Sequence, residues 1–291
     1  MPHGFDHIAH TVHDLDTAGA FYTRLGFTVG ARNMHAWGTH NRIVQLRNGF
    51  IELLEVAEPE KIPPHAARSF SFGAFHRDYA AAHQGLSMLL LNSSDAAADA
   101  RAYEAAGISD YEVFNFGREG KRPDGSVVKL AFSLVFTSDP TSPDLSLALC
   151  QHHHPENFWN PAFQNHGNGV SRIAGVVMVA DNPSDHHIFL KAYTGLSDLH
   201  SNSLGVRAET RDGVIEIVDP VAFRDRFGIQ VKASGEGMTM GAMRFEAADL
   251  GRVEAALRDG GVGFRRHVGR LVVPPDEAFG ATLIFEPAKV G

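Results

Sequence analysis

The chain has 291 residues, of which 44% are hydrophobic and 21% are charged, and its formal net charge at pH 7 is -8. This composition is typical of a globular protein and argues against intrinsic disorder. The negative charge gives no electrostatic support to nucleic-acid binding, and no apolar run reaches the roughly 20 residues of a membrane span. Cys150 is the single cysteine, and the N-terminus lacks a signal-peptide pattern. These features predict a cytoplasmic protein that binds neither nucleic acid nor membrane.

One pattern recurs four times along the chain: a short apolar strand, a turn containing Asp, a helix that ends near Gly, and further strands. Repeated units of this kind bury their apolar faces against one another, and paired βαβββ units are expected to form a cup that holds a ligand. We therefore predict an α+β fold with four βαβββ modules at about residues 5–57, 84–155, 170–221 and 238–290. The expected domains are 1–160 and 168–291, each with two modules.

The first module carries clear local signals. Asp16 or Thr17 is expected to cap a helix at 17–25, and Gly26 to end it in the left-handed conformation. Strands are predicted at 27–32, 41–46 and 50–56. On the opening strand, the period of two places His7, Ala9 and Thr11 on one face and Ile8 and His10 on the other. We expect His10 to contact Glu55 on the helix-facing side.

The later modules follow the same plan. Asp95 is expected to cap a helix at 96–106, and a hairpin joins strands at 111–116 and 127–136 around Arg122-Pro123-Asp124-Gly125. In the fourth module, Gly260 is expected to end a helix at 250–258. The connector at 57–84 is too aromatic to be a bare linker, and it predicts a loop or short helix that folds over a pocket.

The repeated unit, with Asp6-His7-Ile8 on its first strand and Ile51-Glu52-Leu53-Leu54-Glu55 on its fourth, resembles the vicinal oxygen chelate superfamily, in the branch of glyoxalase-like domain proteins. The resemblance covers nearly the whole chain and includes Cys150-Gln151-His152-His153. It implies a divalent metal (Zn, Mn, Fe or Ni) at the floor of the N-terminal cup, held by ligands from the first and fourth strands of paired units.

Carried over residue by residue, the resemblance places metal ligands at His7 and Glu52. The third ligand is either His152 or His153, because the spacing alone does not decide which one faces the pocket. The first-strand position of the second copy falls near Leu86 or Ser87, which are poor ligands, and the C-terminal copies depart from the ligand pattern. The alternatives are a hydrogen-bonded interior His7 and an ion pair between Glu52 and Arg42.

Glu52 and His35 are the predicted proton-transfer residues, although a loop position without function is the alternative for His35. Aromatic side chains around the first two modules predict a pocket for a small molecule, and filling of a domain interface is the alternative. Arg118 is added as a cation that would attract an anionic substrate, the alternative being a solvated hairpin tip with Lys121 and Arg122. The predicted pocket residues are Phe70, Phe72, Phe75, Phe114, Phe116, Arg118, Phe158 and Trp159.

The resemblance implies a metal-dependent enzyme, a lyase or isomerase of glyoxalase type, which acts on a small oxygenated molecule by metal chelation and proton transfer. An extradiol-type ring-cleaving dioxygenase and a metal-free, drug-binding protein are the alternatives. The expected partner is a small-molecule substrate, and a homodimer is compatible with the sequence. The C-terminal pair of modules could serve only a structural or dimerising role.

Overall fold

A computed structural model describes residues 2–121, 125–232, 235 and 237–288. The hairpin tip predicted around Arg122 lies outside the described residues. The first module comprises β1 (Phe5–Thr11), α1 (Leu15–Arg24), β2 (Asn33–Met34), β3 (Thr39–Leu46) and β4 (Gly49–Val56). A connector with α2 (Phe72–Ala82) follows. The second module comprises β5 (Gly85–Asn92), α3 (Ala96–Ala106), β6 (Phe114–Lys121), β7 (Val127–Ser138) and β8 (Ser146–His152).

The C-terminal half repeats this element order. The short helix α4 (Pro155–Phe158) leads to the third module, which comprises β9 (Val170–Val179), α5 (His187–Thr194), β10 (His200–Asn202), β11 (Gly205–Glu209) and β12 (Val214–Val218). Helix α6 (Pro220–Phe227) leads to the fourth, which comprises β13 (Thr239–Ala247), α7 (Leu250–Asp259), β14 (Arg265–His267), β15 (Arg270–Val273) and β16 (Thr282–Pro287). No helix in the described ranges is both long and apolar enough to cross a lipid bilayer.

The strands form one mixed sheet, and this α+β architecture agrees with the predicted fold class. At its centre β1 pairs in parallel with β4 and antiparallel with β5. Strand β13 occupies the corresponding position in the C-terminal half, parallel to β16 and antiparallel to β9. Because β5 also pairs with β13 through Leu86 and Met240, the two predicted halves share a sheet. Their division into separate domains stays a prediction.

The alternation predicted for β1 is present and sets what each face contacts. Ala9 belongs to an apolar cluster with Leu54 and Met88 on the inside of the first cup, whereas Ile8 belongs to the main core under the helices. His10 lies on the core side, as expected, but its contact with Glu55 was predicted wrongly. His10 Nδ1 instead lies 2.9 Å from the Tyr22 hydroxyl and its Nε2 lies 3.1 Å from the carbonyl oxygen of Phe279. Glu55 pairs with Arg32.

Several helices and strands begin or end at residues other than those predicted from the sequence. Asp14, rather than Asp16 or Thr17, caps α1, because its carboxylate accepts from the backbone N–H groups of both later residues. The φ angle of Gly26 is +86°, as a left-handed helix end requires, but at the end of α7 the left-handed residue is Gly261 and not Gly260. Residues 27–32 have no regular strand pairing, and the strand predicted at 111–116 begins only at 114. The connector contains the 11-residue helix α2.

Candidate active site

A bulge in β1 brings two adjacent residues, Asp6 and His7, to the inside of the N-terminal cup. The pairing of β1 with β5 shifts register between Phe5 and His7. Both Asp6 and His7 are buried, and His7 Nδ1 lies 2.6 Å from Asp6 Oδ1. An N–H at Nδ1 that donates to this carboxylate leaves the lone pair on Nε2. His7 Nε2 faces Glu52, at 3.7 Å from Oε2.

Glu52 comes from the middle of β4, where its Cα lies opposite that of Ala9 in the parallel ladder. Its side chain is 5% exposed, and Oε1 accepts a hydrogen bond of 2.6 Å from Nδ2 of Asn41. The alternative ion pair with Arg42 does not form, because Arg42 is the next residue along β3 and faces the opposite side of the sheet. Arg42 pairs with Asp16 at 2.7 Å. Glu52 is therefore a buried carboxylate held by an amide rather than by a cation.

His35 joins this pair from the turn before β3. Its Nε2 lies 3.9 Å from Glu52 Oε1 and 3.3 Å from Asn41 Nδ2, and its Nδ1 lies 2.8 Å from the Thr39 hydroxyl. The ring stacks on Trp37 with a centroid separation of 4.6 Å. Burial lowers the pKa of His35, against the opposing effect of the Glu52 charge. His35 is thus a neutral base near pH 7, and Asn41 N–H donation leaves its lone pair on Nε2.

On the other side of His7, Asp6 contacts His152. Asp6 Oδ2 lies 3.0 Å from His152 Nε2, and the His152 ring stacks on Trp159. Burial alone would raise the pKa of Asp6, but His152 and His7 outweigh it and hold the pKa well below its usual range. Asp6 is therefore an anion between two imidazoles. Asp6 was not predicted from the sequence, because strict alternation places the even-numbered residues of β1 on the other face. Only the bulge turns this residue toward the cup.

The structure places the two candidates for the third ligand, His152 and His153, in different surroundings. His152 lies close to the cluster but reaches Asp6 rather than Glu52. His153 is exposed, and its Nε2 lies 2.8 Å from the hydroxyl of Ser133, the residue after the pocket-lining Phe132 on β7. Neighbouring strand residues face opposite sides, so the structure does not bring His153 to His7 or Glu52. Cys150, by contrast, is buried and lines the cup, and burial together with the Asp6 carboxylate raises its pKa.

The donor set of the N-terminal cup fits a divalent metal on the side of the first module. His7 Nε2 and Glu52 Oε2 lie 3.7 Å apart, and Asp6 and Asn41 respectively hold these side chains from behind, as such partners usually do for metal-binding imidazoles and carboxylates. The second module contributes Met88, Leu90 and Ala148 to this face, which are not ligands. Among the described residues, Asp6, His7 and Cys150 form a group whose donor atoms all lie within 4.8 Å of one another.

Aromatic side chains close the cup above these polar groups. Four of the predicted pocket residues, Phe72, Phe116, Arg118 and Phe158, line the same cavity as His7, His35 and Glu52. Three further aromatic residues line this wall and were not predicted from the sequence, namely Trp37, Phe50 and Phe132. Phe50 stacks on the His7 ring at 4.3 Å. The wall surrounds the polar groups with apolar side chains, and such low-polarity surroundings strengthen electrostatic interactions.

The other predicted pocket residues lie elsewhere. Phe114 packs behind the wall, 5.2 Å from the Trp37 ring centroid. Phe70 and Phe75 line a separate cavity beside Tyr111, because the chain leading into α2 turns their rings away from Glu52. Trp159 lines a third cavity of about 950 Å³, which reaches Asp6, Cys150 and His152 from the opposite side of the His7 ring.

The C-terminal half places different chemistry at the corresponding sheet positions. Glu216 on β12 lies opposite Val177 of the parallel strand β9, as Glu52 lies opposite Ala9. Gly175 precedes Val177 by two positions and is therefore the counterpart of His7. Arg244 of β13 lies opposite Gly175 in the antiparallel ladder. The Arg244 guanidinium contacts Glu216 and also Glu286, at 2.7 Å. Glu216 also pairs with Arg226 and Glu286 with Arg270, so arginines neutralise both carboxylates.

Comparison of the structure with solved structures identifies proteins of the same fold. A hypothetical protein from Staphylococcus aureus superposes with a TM-score of 0.69 at 16% sequence identity, covering 99% of this chain and 100% of that chain. A mutant of 4-hydroxymandelate synthase from Streptomyces coelicolor gives a TM-score of 0.58 at 13% identity, covering 100% and 95%. A fusion protein of a xylose isomerase-like TIM barrel and 4-hydroxyphenylpyruvate dioxygenase gives 0.54 at 14% identity, covering 100% of this chain and 50% of that one.

At these identities the structural similarity shows the fold alone. A search of curated protein sequences gives no significant match. The family model described as the Glyoxalase-like domain matches residues 5–194, which include β1 to β8 and the whole His7–Glu52 cluster. The chain therefore belongs to the Glyoxalase-like domain family, as the resemblance of its sequence motifs implies.

Proposed function

We propose that the protein is a metal-dependent enzyme that moves a proton on a small oxygenated molecule bound in the N-terminal cup, by a lyase or isomerase reaction. The observation that supports this most directly is the convergence of His7 Nε2 and Glu52 Oε2, 3.7 Å apart, with the Asp6 carboxylate behind His7. In this proposal His7 and Glu52 hold a divalent ion, and Cys150, which lines the same cup, is a further donor. Such an ion acts as a Lewis acid toward a developing oxyanion.

His35 is the proton-transfer residue of this proposal. Its Nε2 carries the lone pair, lies inside the cup, and stays unprotonated near neutral pH because burial lowers the pKa. It would take a proton from a substrate carbon next to the chelated oxygen and return it to a neighbouring atom, in isomerisation, or to the leaving oxygen, in elimination. Stacking on Trp37 and contact with Thr39 hold the ring in place for both steps.

The experiment that tests the metal site measures metal content in protein purified without a histidine tag. We expect about one divalent ion per chain in the unmodified protein, loss of the ion in His7→Ala and Glu52→Gln, and retention in His153→Ala, which removes an exposed imidazole outside the cup. Circular dichroism confirms that each variant is folded. An equal metal content in the Glu52→Gln and unmodified proteins would contradict the proposed ligand set.

Proton transfer is tested separately, without knowledge of the substrate. Small α-hydroxy carbonyl compounds are incubated with metal-loaded protein in deuterated water, and incorporation of deuterium at carbon is followed by NMR. We expect catalysed exchange that falls by roughly 100-fold or more in His35→Gln, as is typical of the loss of a general base. Exchange at the rate of the unmodified protein in this variant would contradict the role of His35.

The dioxygenase alternative draws support from one similar structure, the fusion protein that contains 4-hydroxyphenylpyruvate dioxygenase. A ring-cleaving enzyme would require Fe(II) and oxygen at the same His7 and Glu52 donors. Consumption of oxygen by Fe(II)-loaded protein with catechols would favour that reaction over proton transfer. A protein that binds aromatic ligands but takes up no metal would support the third possibility, a metal-free binding protein.

A further inference from the structure

Arg118 places an uncompensated positive charge inside the aromatic cup. It follows Phe116 by two positions on β6, so both side chains lie on the same face of the strand and both line the cavity that contains Glu52. On the neighbouring strand, Leu130 lies opposite Arg118 and Phe132 lies opposite Phe116, and both are buried. Arg118 is therefore a half-buried cation that lines the cup beside apolar side chains of the hairpin.

The contacts of Arg118 leave its donors largely unused. No carboxylate of the described residues lies within 4 Å of its guanidinium, and the hydrogen bond recorded for it is a long one of 3.4 Å to the backbone oxygen of Glu119. Burial lowers the pKa of Arg118, opposed in part by the more distant charge of Glu52. Desolvating a guanidinium without a partner costs free energy.

Several other buried or half-buried arginines pair with carboxylates. Arg244 contacts two glutamates, and Arg32 and Arg42 contact Asp16. A half-buried arginine that lines an aromatic cavity and has no carboxylate partner suits a planar anion, because guanidinium and carboxylate match in a bidentate geometry. A dianionic phosphate suits this site less well, since Glu52 adds negative charge to the same cavity.

We propose that the substrate of the N-terminal cup is a small monocarboxylate with a flat apolar body, whose carboxylate binds Arg118 and whose oxygenated end lies at His7 and Glu52. This inference rests on the proposed function, since it names the substrate class for the same site. The aromatic rings of Trp37, Phe72 and Phe116 would contact the apolar body. Arg118 is then the residue that determines specificity for charge.

The test compares binding of benzoate with that of its neutral isostere benzamide, and with phenyl phosphate, by isothermal titration calorimetry. We expect benzoate to bind the unmodified protein at least about tenfold more tightly than benzamide, as a charge-assisted hydrogen bond predicts. The preference should vanish in Arg118→Gln and return in part in Arg118→Lys. Arg47→Gln is the matched control, because Arg47 is exposed and lines the cavity on the far side of Asp6.

The Glu52→Gln variant distinguishes a failure of this inference from a failure of the proposed function. The variant should lose metal and proton transfer but keep or increase the preference for benzoate, because a negative charge has been removed from the cavity. A preference that survives in Arg118→Gln would overturn the assignment of Arg118, and so would equal binding of benzoate and benzamide to the unmodified protein. Tighter binding of phenyl phosphate than of benzoate would overturn the carboxylate class.

Discussion

Asp6 Oδ1 lies 2.6 Å from His7 Nδ1, and this contact decides which nitrogen of His7 faces the cup. With the proton on Nδ1, the lone pair of Nε2 faces Glu52, as a metal ligand requires. His152 Nε2 lies 3.0 Å from the other oxygen of Asp6, so an imidazole flanks the carboxylate on each side. The site thus has two layers of residues. The inner layer, with His7 and Glu52, was predicted from the sequence.

Asp6→Asn should weaken metal binding without removing a proposed ligand. An amide side chain can present N–H to His7 Nδ1, which favours the wrong tautomer, and loss of such orienting carboxylates typically costs roughly 10- to 100-fold in metal affinity. Competition with a chromophoric chelator measures the affinity. Asp99→Asn is the control, because Asp99 lines the same 950 Å³ cavity but contacts Ser93. Equal affinities of the two variants would speak against the orienting role.

Protein stability should fall as the pH drops below about 6.5. Burial lowers the pKa of His10 to about 4 and that of His76 to about 3, from 6.5. Between these values and 6.5 the unfolded chain binds protons that the folded protein does not, so the free energy of unfolding rises with pH by about 1.4 kcal/mol per pH unit for each group. Below the folded-state pKa this contribution levels off.

His10→Gln isolates one of these groups. Urea unfolding at pH 5 and at pH 7 should show a smaller pH dependence in this variant, by about 1.4 kcal/mol for each pH unit below 6.5. The comparison concerns the slope, so a general loss of stability from the lost contacts with Tyr22 and Phe279 does not affect it. An unchanged slope would mean that His10 is not held neutral in the folded protein.

The carboxylate cluster of the C-terminal half should depend strongly on its buried cation. Arg244→Met leaves Glu216 and Glu286 with the more exposed Arg226 and Arg270 as their cations, so the loss should approach but not exceed the roughly 3–5 kcal/mol typical of removing one partner from a buried ion pair. Arg224→Met is the control, because Arg224 is exposed and its pair with Asp225 should contribute no more than about 1 kcal/mol. Chemical denaturation measures both. Similar losses in the two variants would argue against a stabilising role for the cluster.

Gly38 positions the turn that carries His35 and Trp37. Its φ is +83°, and a Cβ there would lie 2.2 Å from the carbonyl oxygen of Glu58. Gly38→Ala should therefore lower both the melting temperature and the proton-transfer rate, since the backbone must move. Gly107→Ala adds only the left-handed strain of about 1–2 kcal/mol, because nothing lies within 4 Å of its Cβ. Equal effects of both variants on the rate would contradict this account.

The local sequence pattern was sufficient to predict much of the fold. The αL glycine at 107 and the cap at Asp95 defined α3 to the residue, because hydrogen bonds at helix ends involve neighbours in the chain. The period of two put His7 and Ala9 on the cup face, and the family resemblance put Glu52 beside them. The cap of α1 was misplaced by two residues, since Asp14, Asp16 and Thr17 all carry suitable side chains and only the backbone geometry selects one.

What the sequence by itself determined is the repeated βαβββ plan and the candidacy of His7, Glu52 and His35, because periodicity and turn chemistry act over a few residues. Tertiary structure alone decided the rest. The bulge that turns Asp6 inward depends on pairing with β5, and His10 finds its acceptor at Phe279, 269 positions away. Ladder register and side-chain packing join residues that are remote in the chain, and no local pattern encodes them.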